Sequence, residues 1–291
     1  MSRMPTQLNS RVARGIVKTM RPKQWVKNLL LLAAPMAAGV ILESEHWVSL
    51  AVAFTSFCLI ASGAYFVNDI VDREADRRHL KKQYRPIAAG VVPMVVAVCS
   101  GITLTVTGVA LSALNGPKFL YAAGAYCAYT YLYSFFLKHV ETVELVALSG
   151  GFALRAFAGA LAVDVSISTW FAVCVYAGAM LMASGKRSAE LANGTSTRKV
   201  LAKYTPDFLS TVRTTSVAVA LTSYGLWTAG STANLIVYLS TLPFITAILR
   251  YAQLCSAGVA DEPEELILSD RILLVAGGVW ALLYFSGVYL V

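Results

Sequence analysis

The chain has 291 residues, 57% of them hydrophobic and only 14% charged, with a formal net charge of +8. A soluble domain carries about a quarter charged residues, so a water-soluble fold could not hide this much apolar surface. On a soluble protein the positive balance would suggest nucleic acid; on a membrane protein it reflects basic cytoplasmic loops, and no nucleic-acid partner is expected.

Residues 1–28 are basic and polar, without the apolar core or small-residue cleavage site of a signal peptide. Residues 1–27 are therefore expected to be a cytoplasmic segment. A membrane helix needs about 20 mostly apolar residues. Such runs follow at 28–43, 47–67, 91–113, 118–137, 143–163, 169–184, 208–228, 232–250 and 272–290. About nine transmembrane helices are expected, with the first and sixth runs short. No Pro/Gly/Ser-rich linker divides the chain, so residues 1–291 are read as a single membrane-embedded domain. Cys58, Cys99, Cys127, Cys174 and Cys255 form no C-x-x-C pair, and they read as small apolar fillers.

The loops fix an orientation. With the N-terminus inside, most of the 24 Lys and Arg residues fall on one face. These include Arg3, Arg11, Arg14, Lys18, Arg21, Lys23 and Lys27 before the first run, and Arg73 to Arg85 after the second. Lys138 follows the fourth run, Lys186, Arg187, Arg198, Lys199 and Lys203 follow the sixth, and Arg250 and Arg271 bound the last inside loop. The outside turns are short. Function is therefore expected at the cytoplasmic face, in the manner of an enzyme acting on a lipid, whereas a channel would scatter polar residues along its spans.

The second run enters Asn68-Asp69-Ile70-Val71-Asp72-Arg73-Glu74-Ala75-Asp76. On a helix Asp69, Asp72 and Asp76 share one face, with Asn68 at its edge. Three like charges in a stripe repel, and hard oxygen ligands at this spacing suit Mg²⁺, which commonly takes one or two carboxylates plus substrate phosphates. The alternative is a solvated acidic helix end laced to Arg73, Arg77 and Arg78. Arg85 precedes Pro86, which fixes a turn close to the next span.

Asn68 to Asp76, followed by Arg85-Pro86-Ile87-Ala88-Ala89-Gly90, resembles the UbiA superfamily of intramembrane prenyltransferases. The resemblance covers essentially the whole chain. It implies an all-α polytopic bundle with a cytoplasm-facing central cavity and a lateral gap to lipid. Typical members carry a second Asp-rich motif after the sixth span. Here that stretch reads Ser184-Gly185-Lys186-Arg187-Ser188-Ala189-Glu190-Leu191, with two cations and one carboxylate. Together with Arg21-Pro22-Lys23-Gln24-Trp25-Val26-Lys27-Asn28, it is similar to the decaprenyl-phosphate phosphoribosyltransferase branch of actinobacteria. That branch transfers 5-phosphoribosyl from phosphoribosyl pyrophosphate (PRPP) onto a polyprenyl phosphate and feeds arabinan synthesis for the cell wall.

A site holding a diphosphate, a 5-phosphate and a lipid phosphate needs more cations than a prenyl-transfer site. Lys23, Lys27, Arg85, Lys138, Arg155, Lys186 and Arg187 are available. By resemblance, Asp69, Asp72 and Asp76, helped by Asn68, hold Mg²⁺ on the pyrophosphate. Lys186, Arg187 and Glu190 bind the ribose 5-phosphate or hydroxyls, and the other cations hold phosphates. Structural alternatives stand beside several of these: an ion pair of Arg155 with Glu144 or Glu190, a helix salt bridge of Glu190 with Lys186 or Arg187, and packing for the row Tyr126, Tyr129, Tyr131 and Tyr133. Asp261 to Glu265 reads as a solvated loop or short surface helix. Prenyl transfer to an aromatic acceptor, or a non-catalytic transporter or lipid binder, remain open at this point. The sequence leaves a homo-oligomer open as well.

Overall fold

The computed structural model describes residues 4–193, 200–231, 234–260 and 263–290. Arg3, Arg198, Lys199, Asp261 and Glu262 lie outside the described residues. Helix α1 (Met4–Met20) is amphipathic and precedes the apolar elements. Its Gly15 and Thr19 are buried, and a Cβ on Gly15 would lie 2.7 Å from Val92 Cγ2. The helix thus rests on the turn that follows Arg85, while Arg11, Arg14 and Lys18 stay exposed.

The first apolar run is the one that departs most from expectation. It is a 3₁₀ helix over Pro22–Leu32 that continues as the short α2 (Ala33–Ala37). A 3₁₀ stretch of this length is uncommon. It starts at Arg21, whose φ of 54° is left-handed. The residue before a proline is disfavoured in the right-handed α region, and the turn into the segment takes up that restriction here.

The remaining elements are α3 (Trp47–Val71), α4 (Arg73–Arg77), α5 (Met94–Ser112), α6 (Gly116–Phe135), α7 (Val143–Ala162), α8 (Thr169–Ala192), α9 (Pro206–Ser231), α10 (Leu235–Leu239), α11 (Thr241–Ser256), α12 (Pro263–Ser269) and α13 (Arg271–Tyr289). Among the described residues each predicted run after the first contains helix, while the first, 28–43, is helical only as far as Ala37. The second and sixth runs extend further than expected, to Val71 and Ala192, so the charged residues after them are carried on the spanning helices themselves. Of the acidic run, Pro263, Glu264 and Glu265 open α12. Among the described residues five stretches are apolar and long enough to cross a membrane, one of them the α5–α6 pair between Met94 and His139. The protein is an integral membrane protein, and no strand occurs among the described residues.

Two apolar clusters flank the segment 22–37. Leu31 packs with Phe57, Ile60, Phe119 and Tyr126 of α3 and α6, and with Ala158 of α7. Ala34 packs with Phe171, Tyr224, Trp227 and Tyr284 of α8, α9 and α13. The segment is therefore the seam between the two halves of the bundle. Close approach at the seam needs glycine. A Cβ on Gly159 of α7 would lie 1.7 Å from the Leu31 carbonyl oxygen. Small residues let helix backbones meet where hydrophobic driving force between them is weak.

Candidate active site

The break between α3 and α4 falls at Asp72, yet the helical ladder continues through it. The Asp72 N–H donates to the Asn68 carbonyl at 2.9 Å, and the Asp76 N–H to the Asp72 carbonyl at 2.8 Å. Asp69, Asp72 and Asp76 consequently keep one face, as their spacing implied. Asp69 and Asp76 are buried; Asp72 and Asn68 are half-buried.

Three cations answer the three carboxylates. Arg85 donates to Asp69 Oδ1 at 3.1 Å and to Asp76 Oδ2 at 2.7 Å from the same nitrogen. Arg21 donates to Asp69 Oδ1 at 2.5 Å, with its guanidinium 4.7 Å from the centre of the Tyr65 ring. Lys138 lies 3.4 Å from Asp72 Oδ1. The expected lacing by neighbouring arginines is absent among the described residues: Arg77 pairs with Glu74 at 3.0 Å and donates to the Ala88 carbonyl. The partners come from distant parts of the chain instead. Arg21 was not singled out from the sequence, although its place immediately before Pro22 marks a fixed turn.

The carboxylates suit a hard cation by chemistry. They do not converge as a triad. Among the described residues, the one group of three His, Cys, Asp or Glu side chains with ligand atoms within 4.8 Å of one another is Glu43, Glu45 and His46, two exposed carboxylates and a half-buried histidine that lie before α3 and apart from the face. One or two carboxylates and phosphate oxygens suffice for Mg²⁺, so a pair from this face fits the ion without all three meeting.

A polar line leads from the acidic face into the bundle. With three residues per turn, Pro22, Trp25, Asn28 and Leu31 of the 3₁₀ helix form one row. Trp25 Nε1 donates to Ser62 Oγ at 3.1 Å, and Asn28 Nδ2 to Cys58 Sγ at 3.2 Å. Asn28 Oδ1 in turn accepts from Arg155 Nε at 2.8 Å. Arg155 also donates to the Gly151 carbonyl at 2.7 Å and to the Tyr126 hydroxyl at 2.6 Å, and lies over the rings of Tyr126 and Phe152. The expected alternative of a carboxylate partner does not hold: every hydrogen-bond partner given for Arg155 is neutral. Tyr126, read as packing, supplies one of them.

Phe152, whose ring lies under the Arg155 guanidinium, also lines an apolar cavity of about 340 Å³. Leu29, Leu30, Met182, Trp227 and Trp280 are among its other lining residues. Lys27 stands one 3₁₀ turn before Leu30, on the row that reaches this cavity. Lys23 is exposed at the start of the segment.

The second cluster joins α7 to α8. Arg187 and Glu144 are 2% and 1% exposed and form an ion pair through Nη2 and Oε1. Arg187 Nε reaches both Glu144 oxygens at 3.1 and 3.3 Å, Nη1 reaches Glu190 at 2.6 Å, and the Tyr133 hydroxyl donates to Glu144 at 3.2 Å. Arg187 is thus fully engaged by the protein. Of the two helix pairings expected for Glu190, the one with Arg187 forms. Lys186 is half-buried and has no hydrogen-bond or ion-pair partner among the described residues. Tyr204 packs beside this cluster. Burial, with the nearby Glu144 charge, pushes its hydroxyl above the usual tyrosine range.

A family model described as the UbiA prenyltransferase family matches residues 31–269. The chain belongs to that family. Among UbiA relatives it is 39% identical to the decaprenyl-phosphate phosphoribosyltransferase of Corynebacterium glutamicum, over 96% of this chain and 88% of that protein. It is 40% identical to the decaprenyl-phosphate phosphoribosyltransferase of Mycolicibacterium smegmatis, over 94% of this chain and 93% of that one. The fold is similar to a UbiA homolog from Archaeoglobus fulgidus bound to GPP and Mg²⁺, with a TM-score of 0.73 at 17% identity, covering 95% of this chain and 100% of that one. The family and fold expected from Asn68–Asp76 and Arg85–Gly90 are therefore shown, and the chain is a transferase of the UbiA type.

Proposed function

We propose that the chain transfers the 5-phosphoribosyl group of PRPP to decaprenyl phosphate, or a similar polyprenyl phosphate, and releases pyrophosphate. The observation that carries this reading is the near full-length identity of about 40% to phosphoribosyltransferases, joined to Lys186 at the position where an acidic motif is usual in the superfamily. More phosphate groups call for more cations.

The residues divide by task. Asn68, Asp69, Asp72 and Asp76 would hold Mg²⁺ against the diphosphate, and the ion would neutralise that leaving group as the C1–O bond breaks. Arg85 and Lys138 face the same diphosphate. Lys186, whose charge has no partner among the described residues, is assigned to the 5-phosphate. Glu190 orients a ribose hydroxyl, while Arg187 holds Glu190 and Glu144 in place between α7 and α8 and so sets the position of its neighbour Lys186. Arg155, with Lys27 and Lys23 nearer the surface, receives the lipid phosphate, and the apolar cavity beside Phe152 takes the start of the isoprenoid tail.

The lipid phosphate is ionised at neutral pH and needs no strong general base. Its oxygen attacks C1 from the face opposite the diphosphate, so the anomeric configuration inverts. Because PRPP is water-soluble and the basic loops mark the inner face, the site opens to the cytoplasm of a cell-membrane enzyme whose product is an arabinan precursor for the cell wall.

The test supplies purified protein with labelled PRPP, decaprenyl phosphate and Mg²⁺, and looks for a labelled lipid. Turnover of a prenyl diphosphate without that product would assign prenyl transfer instead. Inactivity with both donors would assign transport or lipid binding. Asp72→Asn is expected to abolish most of the Mg²⁺-dependent activity; full activity in this variant would remove Asp72 from the metal site.

A further inference from the structure

The acidic face carries three negative charges, and Arg21, Arg85 and Lys138 bring three positive ones to it. The cluster is electrically balanced by side chains alone. Asp69 Oδ1 and Asp76 Oδ2 are held by Arg21 and Arg85, at 2.5 to 3.1 Å. A divalent ion entering alone would add two charges to this balanced, part-buried group and would compete with two guanidiniums for the same oxygens. A diphosphate entering alone would bring negative charge against buried carboxylates. Neither ligand is favoured singly, because charge in a low-dielectric surrounding is costly unless compensated.

Entering together, the two ligands solve each other's problem. The metal satisfies the carboxylates, and the diphosphate oxygens offer the freed guanidiniums the planar, bidentate acceptor they bind best. Arg21 is built for such an exchange. Its side chain is 29% exposed, and the ring of Tyr65 lies under its guanidinium. Its backbone sits in a left-handed conformation just ahead of Pro22.

We propose that Arg21 is a donor-binding residue, that it and Arg85 pass from the carboxylates to the donor's diphosphate, and that metal and donor therefore bind as a coupled pair. The identity of the donor rests on the function proposed above; the coupling requires only a diphosphate.

The full-length protein in lipid nanodiscs tests this, with Mn²⁺ as a paramagnetic probe of the metal site. Arg21→Gln is expected to raise the affinity for Mn²⁺ alone by about tenfold, the ordinary size of a site-to-site coupling. The same variant is expected to weaken binding of labelled PRPP at saturating Mg²⁺ by a similar factor. Arg21→Lys, which keeps the charge and loses the fork, should fall between. A misfolded variant would lose both ligands, so the opposite signs identify the exchange. Unchanged or weaker Mn²⁺ binding in Arg21→Gln, or unchanged PRPP binding, overturns the proposal. If a prenyl diphosphate shows the same opposing pattern and PRPP does not bind, the coupling stands and the donor assignment fails.

Discussion

A guanidinium whose hydrogen-bond partners are an amide, a backbone carbonyl and a phenol keeps its full charge available for a ligand. Arg155 is such a group, and Arg187, buried between two carboxylates, is the opposite case. The two arginines should therefore fail in different ways. Arg155→Met is expected to raise the KM for the lipid phosphate about 10- to 100-fold, the worth of one charge-assisted hydrogen bond or slightly more, and to leave the KM for PRPP nearly unchanged. Steady-state kinetics with each substrate varied in turn checks the split. Arg187→Ala leaves Glu144 buried without its partner, which costs about 3–5 kcal/mol of stability. The double variant Glu144→Leu with Arg187→Met should recover most of that loss in a thermal unfolding experiment. If the double variant is no more stable than Arg187→Ala, the pair is not the clamp described here.

At the scale of elements, the 3₁₀ segment over Pro22–Leu32 determines the site. Its threefold row brings Trp25 and Asn28 to α3, and Asn28 on to Arg155. The seam closes because Gly159 lets the Leu31 backbone approach. Gly159→Ala is expected to destabilise the bundle by about 1–3 kcal/mol or more through overpacking, seen as a lower melting temperature in detergent. The apolar runs, the shared face of Asp69, Asp72 and Asp76, and the family were all legible in the sequence, because each is a local pattern at helical spacing. The partners of that face were not legible. Arg21 and Lys138 lie 48 and 66 positions from the aspartates they meet, and Arg85 lies 9 and 16 from its two; nothing in a helical period encodes such distances. The first run was also misread as an ordinary span: an apolar stretch does not announce a period of three instead of 3.6. Arg155 was visible as an intramembrane charge, but its neutral surroundings depend on how Glu144 is used elsewhere.

Across the whole molecule, two polar centres are arranged along one seam, the acidic face at one end and Arg155 deeper in. In the proposed reaction the donor's leaving group is assigned to the first and the acceptor's phosphate to the second. Substitution at Lys186 should therefore be read by donor kinetics alone: Lys186→Ala is expected to raise the KM for PRPP about tenfold, as loss of a charge-assisted bond to phosphate would. An equal rise in the KM for the lipid would mean that the two substrates meet at this residue.

The cavity of about 340 Å³ beside Arg155 has a further consequence. That volume is at the small end for pockets that enclose even a drug-sized ligand, and a decaprenyl chain is far longer. If the proposed acceptor binds here, the cavity holds only the first few isoprene units, and the remainder of the tail trails into the surrounding bilayer. Chain length is then chosen by whichever polyprenyl phosphates the membrane contains, and shorter analogues should be accepted with similar kcat/KM once they are long enough to fill the cavity.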